Sequence, residues 1–558
     1  MKIFKLKFLA VMLICMVSVL PVMADKMTQP DFAFPVKVME SSEKSLSKAL
    51  KNRDNQLVVQ SLIELCIAEN SIDKNNVGRM IAKIDSVKRL SAEPTLLSML
   101  NALEARMLTD VYKDNKYVYD RRVIPADSYS EDIFLWSGEQ FRNKIMNLVD
   151  ASLENESALK KCSIGKYSLN ISVVDEDKVY YPLLYDFIAY QAIRTLNSIS
   201  SDPGFVGRLY LVSGPMFVAS LYSSPKINAS TEYAKKILEL YSSLLTLHAD
   251  DVPAYINADL ARLDYVKQHI YADENDKTDY AKVLTEMYNR YRESEYSCAI
   301  LIALLQTELT YDTSNHPRLL KLIDGSIADY PQSPLADRLK RIREFITQKS
   351  VEIMTPRNVY PGEKCSFSVT LNNVRHADIK IYDISNYSEE LTADSLQNLV
   401  PIAILSADAL SDIPFSDKRE LSFVFPGFGK FWVVPSFKDD KVETGTPAKV
   451  YVTSLAAVAR EAAGDRSILV LDRVSGEPVK DAVVSFKRYM QHNFHEYVEI
   501  GVTDSNGLFS LPATSEGGSF IVAKGNDNVE NDFWISRGNR SSEKSSLKCC
   551  FFTSLPIY

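Results

Sequence analysis

Near Val351 the spacing of apolar residues changes period, and that change limits the chain to two kinds of folded region. Before it, apolar residues recur at steps of three and four, as on helices with one buried face. Leu96, Leu100, Leu103 and Met107 form one such stripe, with Pro94 in the first turn, where its missing N–H costs nothing. Tyr233, Ile237, Leu240, Leu244 and Leu247 form another, behind Ser230 or Thr231 as an N-cap. Leu335, Leu339, Ile342 and Ile346 form a third, with Ser333 as N-cap and Pro334 at the first helical position. After the change, the stretch MTPRNVYPGEKCSF carries two prolines and a glycine, and alternation of period two takes over. The clearest domain boundary therefore lies near residue 351.

Beyond that boundary the expected strands are Phe367-Val369-Leu371, Ile379-Ile381, Leu421-Phe423-Phe425 and Phe431-Val433. Residues 389–410 read as a longer loop or a short helix, and Pro426-Gly427-Phe428-Gly429 as a turn. Residues 456–464 read as a link to a second strand-rich region beginning near residue 466. In that region 468–471 and 482–486 read as strands, separated by the turn signal Ser475-Gly476. Thr503-Asp504-Ser505-Asn506-Gly507 is a tight turn whose glycine is free to take positive φ. Phe509 and Leu511 then alternate as on a half-buried strand. Hairpins in this order make a small β-sandwich.

The helical part spans about 25–350. Its Ala328-Asp329-Tyr330-Pro331-Gln332-Ser333-Pro334 linker is of the kind found between tetratricopeptide-like helical pairs, although no strict period recurs. Stacked helical hairpins leave a broad concave surface, which serves either as a docking surface for protein partners or as a spacer. Residues 168–179, SLNISVVDEDKV, are polar and β-leaning and read as a loop or small hairpin between helical blocks.

A chain of 558 residues exceeds what one domain usually holds, so three or so folded units are expected. Residues 1–24 have the grammar of an export signal. Lys2, Lys5 and Lys7 precede an apolar run from Phe8 to Val19, too short for a membrane span, and Val22-Met23-Ala24 offers a cleavage site. Cleavage after Ala24 leaves Asp25 at the mature N-terminus. The rival, lipidation at Cys15, is opposed by the bulky Ile14 before it. No later segment has the uncharged apolar length to cross a bilayer, so the mature protein is expected to be exported, to a periplasm, a cell surface or the medium.

Net charge of −8 leaves no electrostatic footprint for nucleic acid. Of seven cysteines, Cys15 leaves with the signal, Cys66, Cys162, Cys298 and Cys365 lie far apart and Cys549-Cys550 are adjacent, which is no disulfide framework, and they read mostly as buried free thiols. None begins a C-x-x-C pair, so no zinc site is expected. None of the six histidines sits in H-E-x-x-H, and no nucleophile elbow, P-loop or dinucleotide fingerprint occurs. His492 and His495, with Glu496 and Glu499 nearby, read as a solvated loop. Asp504–Gly507 reads as a β-turn, because its glycine comes too early for an EF-hand and no acidic ligand follows at the right spacing. The expectation is a protein that is not an enzyme, with no catalytic, cofactor-binding or metal-binding residues and no cofactor.

The pattern D-x-x-[ST]-G-x-P-V-x-x-A-x-V, from Asp472 to Val484, followed by T-D-x-x-G-x-F-x-L-P, from Thr503 to Pro512, resembles a β-sandwich of bacterial alpha-2-macroglobulins. Sandwiches of carboxypeptidase-regulatory type carry a similar pattern. Pro361-Gly362, Phe367-Val369-Leu371, Asn372-Asn373-Val374 and Ile379-Lys380-Ile381-Tyr382 resemble the first macroglobulin-like sandwich of that family. Pro426–Phe431 resembles its P-x-G-x-Y hairpin, with Phe431 in place of the commoner Tyr. Phe552, Thr553, Ile557 and Tyr558 match a segment of the form F-T-D-R-x-I-Y-R-P-G-Q that opens the family's next domain, with Ser554 and Leu555 departing from it.

The resemblance implies a multidomain α-then-β chain: signal 1–24, helical region 25–350, and macroglobulin-like antiparallel sandwiches over 351–455 and 456–558. It implies the N-terminal scaffold of a protease-trapping endopeptidase inhibitor, cut off before the bait region and the C-x-E-Q thioester, with proteases as partners. The alternative from the residues alone is a self-contained exported binding module, its helical region presenting a surface for protein or glycan.

Overall fold

The computed structural model describes residues 34–535 apart from 74–75, 126–128, 168–177, 201–210, 224–231, 270–273, 310–312, 386–398, 411–414, 439–441, 463–464, 490–494 and 512–517. The signal segment, the 168–179 insertion except its last two residues, the Ser230/Thr231 cap, His492 and the C-terminal 536–558 lie outside the described residues. The chain divides into two compact units, Met1–Lys340 and Arg341–Tyr558.

The first unit is helical. Its longer described helices are α1 (Pro35–Asn52), α2 (Asn55–Ile72), α3 (Val77–Leu90), α4 (Pro94–Asp114), α5 (Gly138–Leu153), α6 (Leu184–Ile199), α7 (Gly214–Ser223), α8 (Glu232–Leu247), α9 (Val252–His269), α10 (Glu274–Arg290), α11 (Ser297–Glu308), α12 (His316–Asp329) and α13 (Ala336–Thr347). The sequence stripes are their buried faces. Leu96, Leu100 and Leu103 are buried on α4, and Ile237, Leu240 and Leu244 on α8. Pro94 opens α4, and the Glu93 side chain accepts the Leu96 N–H at 2.6 Å, a cap supplied by the residue before the proline. At α13 the helix starts at Ala336, two residues later than Ser333-Pro334 predicts. There the Ser333 hydroxyl accepts the Leu335 N–H at 3.3 Å, closing a turn before the helix begins.

The second unit holds two sandwiches. The first packs a three-stranded sheet, β1 (Ser350–Met354), β3 (Lys364–Asn372) and β6 (Asp417–Val424), onto a larger one. The larger sheet runs β2-β9-β7-β4-β5, with β8 also beside β7. These strands are β2 (Asn358–Val359), β4 (His376–Asp383), β5 (Ala403–Asp408), β7 (Gly429–Lys438), β8 (Val442–Thr444) and β9 (Ala448–Val452). All described pairings are antiparallel except the two-residue β2–β9 pair. Phe367, Val369 and Leu371 meet Ile379, Ile381, Phe431 and Val433 in one shared core. The sequence of 389–410 predicts a loop or short helix. Residues 403–408 are instead β5, held by β4 through the register Ile379↔Leu405 and Ile381↔Ala403, with Ala403 and Leu405 packed on the core.

The second sandwich packs β10 (Leu455–Ala462), β11 (Asp465–Asp472) and β14 (Leu508–Leu511) against β13-β12-β15-β16. These last are β12 (Val483–Tyr489), β13 (His495–Val502), β15 (Gly518–Lys524) and β16 (Asp527–Ile535). Ile468, Val470, Val484, Phe520 and Val522 form its core. The expected link at 456–464 is largely strand: β10 pairs residue for residue with β11, and Ala457 and Ala459 pack on the core. The run LAAVAREA has helix-forming composition, and the open edge of β11 overrides it. His495, expected in a loop, opens β13.

Candidate functional site

The motif that singles out the second sandwich is a pair of turns, the second of them bonded to the segments on either side of the first. In the first turn, Asp472 Oδ1 accepts the N–H groups of Val474 at 3.0 Å and Ser475 at 2.9 Å, and the Ser475 hydroxyl at 3.1 Å. These bonds, those from the two amides foremost, favour the ionised carboxylate and lower its pKa. Gly476 follows at φ +73°. In the second turn, Asp504 Oδ1 accepts the N–H groups of Asn506 at 2.8 Å and Leu508 at 2.9 Å. Gly507 sits at φ +70°, and a Cβ there would run into the Val470 carbonyl oxygen. The Val470 N–H donates to Gly507 O at 2.8 Å, joining the turn to β11. Thr503 is buried; its hydroxyl donates to Val479 O at 2.6 Å and accepts the Ala482 N–H at 2.9 Å. The motif residues thus build turns, and the Asp504 carboxylate is engaged by backbone amides.

A second arrangement was not legible in the sequence. β9 ends at Val452 and β10 begins at Leu455, so two residues connect the sandwiches. The Thr453 N–H donates to Val359 O of the first sandwich at 2.9 Å. The Ser454 N–H and hydroxyl both donate to Asp527 Oδ2 of the second, at 2.9 and 2.6 Å. Ser454 O accepts the Arg473 N–H at 2.8 Å, and Thr453 Oγ1 accepts the Leu455 N–H at 3.0 Å. Asp527 is 5% exposed, and its Oδ1 is buried with no hydrogen-bond partner among the described residues. Seventy-three positions separate Ser454 from Asp527, and nothing local in either stretch signals the pair.

In the helical unit, buried carboxylates pair with basic side chains. Glu104 of α4, fully buried, meets Lys88 of α3 and, at 3.6 Å, Lys144 of α5. Asp186 of α6 bonds His248 Nε2 at 2.7 Å, and its other oxygen accepts the Leu183 N–H at 2.9 Å. Burial pushes the Asp186 carboxyl upward, opposed by its bonds to His248. Asp259 of α9 accepts the Arg262 Nε–H at 2.7 Å and the Gly214 N–H at 3.1 Å, which ties the start of α7 to α9. Arg262, with no exposed surface, also donates to Val212 O at 2.8 Å and lies 4.5 Å over the Phe217 ring.

Glu104 and its lysines join different helices, and Asp259 and Arg262, one turn apart on α9, tie that helix to Gly214 and Val212, as braces do. A surface depression along α1, lined by Glu40, Glu43, Lys44, Lys48 and Lys51, is open and of mixed charge. Among the described residues, no group of three or more His, Cys, Asp or Glu could hold a metal ion. Cys162, Cys298 and Cys365 are buried free thiols, and Cys66 is a half-buried one whose pKa burial pushes up to about 12. No described helix is long and apolar enough to cross a membrane.

No protein-family profile and no curated protein sequence matches the chain. Solved structures similar to it include native alpha-2-macroglobulin from Escherichia coli spanning domains MG0-NIE-MG1, at 13% identity and TM-score 0.26 over 33% of this chain. The match covers 64% of that structure. The NIE-MG1 portion of the same protein matches at 13% identity and TM-score 0.25, over 33% of this chain and 97% of that one. Pseudomonas fluorescens alkylpurine DNA glycosylase AlkC, bound to DNA containing an abasic site analog, matches at 12% identity and TM-score 0.13, over 75% of this chain and 96% of that one. At these scores the likenesses carry no functional argument.

Proposed function

We propose that the chain is scaffold of an exported alpha-2-macroglobulin-type protease trap and is not itself an enzyme. The observation that carries this reading is the paired-turn motif of the second sandwich, in which Asp472, Gly476, Thr503, Asp504 and Gly507 each have a structural task. The family-like pattern in the sequence is therefore a working fold element. Tandem sandwiches joined by two bonded residues suit a protein that holds domains in fixed relation. The braced helices suit a scaffold in the same way. Trapping itself would need the bait segment and a C-x-E-Q thioester, whose motif this sequence does not contain. Export follows from the 1–24 segment, and proteases are the partners the reading implies.

The test reads the frame beyond codon 558 and assays the chain. A frame continuing through R-P-G-Q to a C-x-E-Q is expected; a stop codon directly after Tyr558 would favour the exported binding module. The purified chain is expected to take up no methylamine and to form no covalent adduct with endopeptidases. A covalent protease complex made by this chain alone would overturn the reading. Mass spectrometry of exported protein is expected to find Asp25 at the N-terminus, whereas a lipidated Cys15 would place the protein on a membrane.

A further inference from the structure

We propose that Asp527 is a latch that makes the two sandwiches one rigid body, and that freeing Ser454 from it opens a hinge at Thr453-Ser454. The proposal stands on the junction's geometry and does not depend on the protease-trap reading. A two-residue connection can pivot only if its φ and ψ angles are free to change, and each bonded group removes that freedom. Here Thr453 is held by the first sandwich through Val359 O, and Ser454 by the second through Asp527 and Arg473. The bonds at Thr453 and from Arg473 use backbone groups or a neighbouring hydroxyl. Only the Asp527 bonds depend on a distant side chain, and a single carboxylate oxygen takes both of them.

The hairpin tip explains how Asp527 reaches the junction. Lys524 and Asp527 pair at the end of β15 and β16, and Gly525 at φ +62° turns the chain between them. Lys524 Nζ donates to Lys480 O at 2.6 Å, pinning the tip to the loop before β12. The carboxylate is therefore delivered by a rigid hairpin into a site where it is almost fully buried. Its oxygen Oδ2 takes both Ser454 donors, while Oδ1 has no partner among the described residues. Such a group is costly to bury for stability alone, so its value lies in fixing one geometry. Any event that lifts the β15–β16 tip would release the hinge without unfolding either core.

Hydrogen–deuterium exchange on the full chain, combined with small-angle scattering, tests this. In the unaltered chain the Ser454 amide is expected to exchange slowly. Asp527→Ala is expected to speed exchange at Ser454 by about ten- to a hundredfold. Val450 and Val470, in strands on either side, should keep their protection, and the scattering profile should broaden. Asp527→Asn, which keeps an acceptor, is expected to fall between the two. Fast exchange at Ser454 in the unaltered chain, or Asp527→Ala exchange equal to it, overturns the latch. So does faster exchange with an unchanged scattering profile, because the linker would then loosen without pivoting. If Asp527→Ala strips protection from the whole second sandwich, Ser454→Ala decides. It removes only the hydroxyl bond and should raise exchange at the junction alone; no change there also overturns the proposal.

Discussion

The helical unit and the β unit give their structural carboxylates different partners. In the helical unit the buried Glu104, Asp186 and Asp259 each bond a basic side chain of Lys88, His248 or Arg262, and Asp186 and Asp259 each take one backbone N–H besides. In the β unit the solvent-facing Asp472 and Asp504 and the buried Asp527 are bonded by backbone N–H groups and serine hydroxyls. The reason lies in where each architecture leaves polar groups over. Helices satisfy their own backbone except at the ends, so what remains to be set is how one helix seats on another. Strand ends and turns leave amides without ladder partners, and short carboxylates answer them. Arg262 shows the first case, Asp504 the second.

The largest expected effect breaks the helical side of this comparison. Arg262→Ala leaves the Asp259 carboxylate buried opposite no charge and should destabilise the helical unit by about 3–5 kcal/mol. Urea unfolding followed by helical circular dichroism checks it, and a loss under about 1 kcal/mol would mean that Asp259 is rescued by water. Next, Gly507→Ala places a Cβ at φ +70° against the Val470 carbonyl. It should cost the second sandwich about 2 kcal/mol or more while sparing the helical unit. Exchange protection at Val470 reports it. A smaller loss, about 1–3 kcal/mol, is expected for Thr503→Val, which keeps the shape and leaves the Ala482 N–H and Val479 O unmatched. A thermal midpoint unchanged by that substitution would remove Thr503 from the motif's structural core.

The smallest effects are pH-dependent and opposite in sign. The Asp472 carboxyl is held below its ordinary value by the Ser475 and Val474 amides, so its contribution is present above its unfolded pKa of about 3.9. That contribution is lost as pH falls through the lower folded value. His376 bonds Asp408 at 2.8 Å and Asp378 at 3.3 Å, and these bonds, the one to Asp408 first, raise its pKa. Its contribution is complete below about pH 6.5 and is lost as pH rises through the raised folded value. Comparing thermal midpoints of Asp472→Asn and His376→Gln with the parent across pH should show the two windows. Both groups are solvent-facing, so both effects are small.

The stripes on α4 and α8 and the alternation at Phe367, Val369 and Leu371 were legible because burial follows the local period of the backbone. The Asp504 turn was legible for a related reason: its partners, Asn506 and Leu508, lie within four residues. Strands β5 and β10 were not. AILSAD and LAAVAREA carry weak or helical preferences, and each became a strand because a neighbour offered an unpaired edge. The Asp186–His248 pair and the junction escaped for another reason. Asp186 and His248 are 62 positions apart, and a single sequence holds no local trace of such a pair.

What the sequence by itself determined is the order of the chain: helices with one apolar stripe, a break near Val351, then alternating strands and the turn chemistry of Ser475-Gly476 and Thr503–Gly507. Each depends on residues close enough along the chain to share one helical turn, one pleat or one β-turn. Only the tertiary structure decided which edges recruited β5 and β10, which carboxylates were buried, and how Ser454 and Asp527 came to meet. Those outcomes depend on loop closure over tens of residues and on the desolvation that closure imposes.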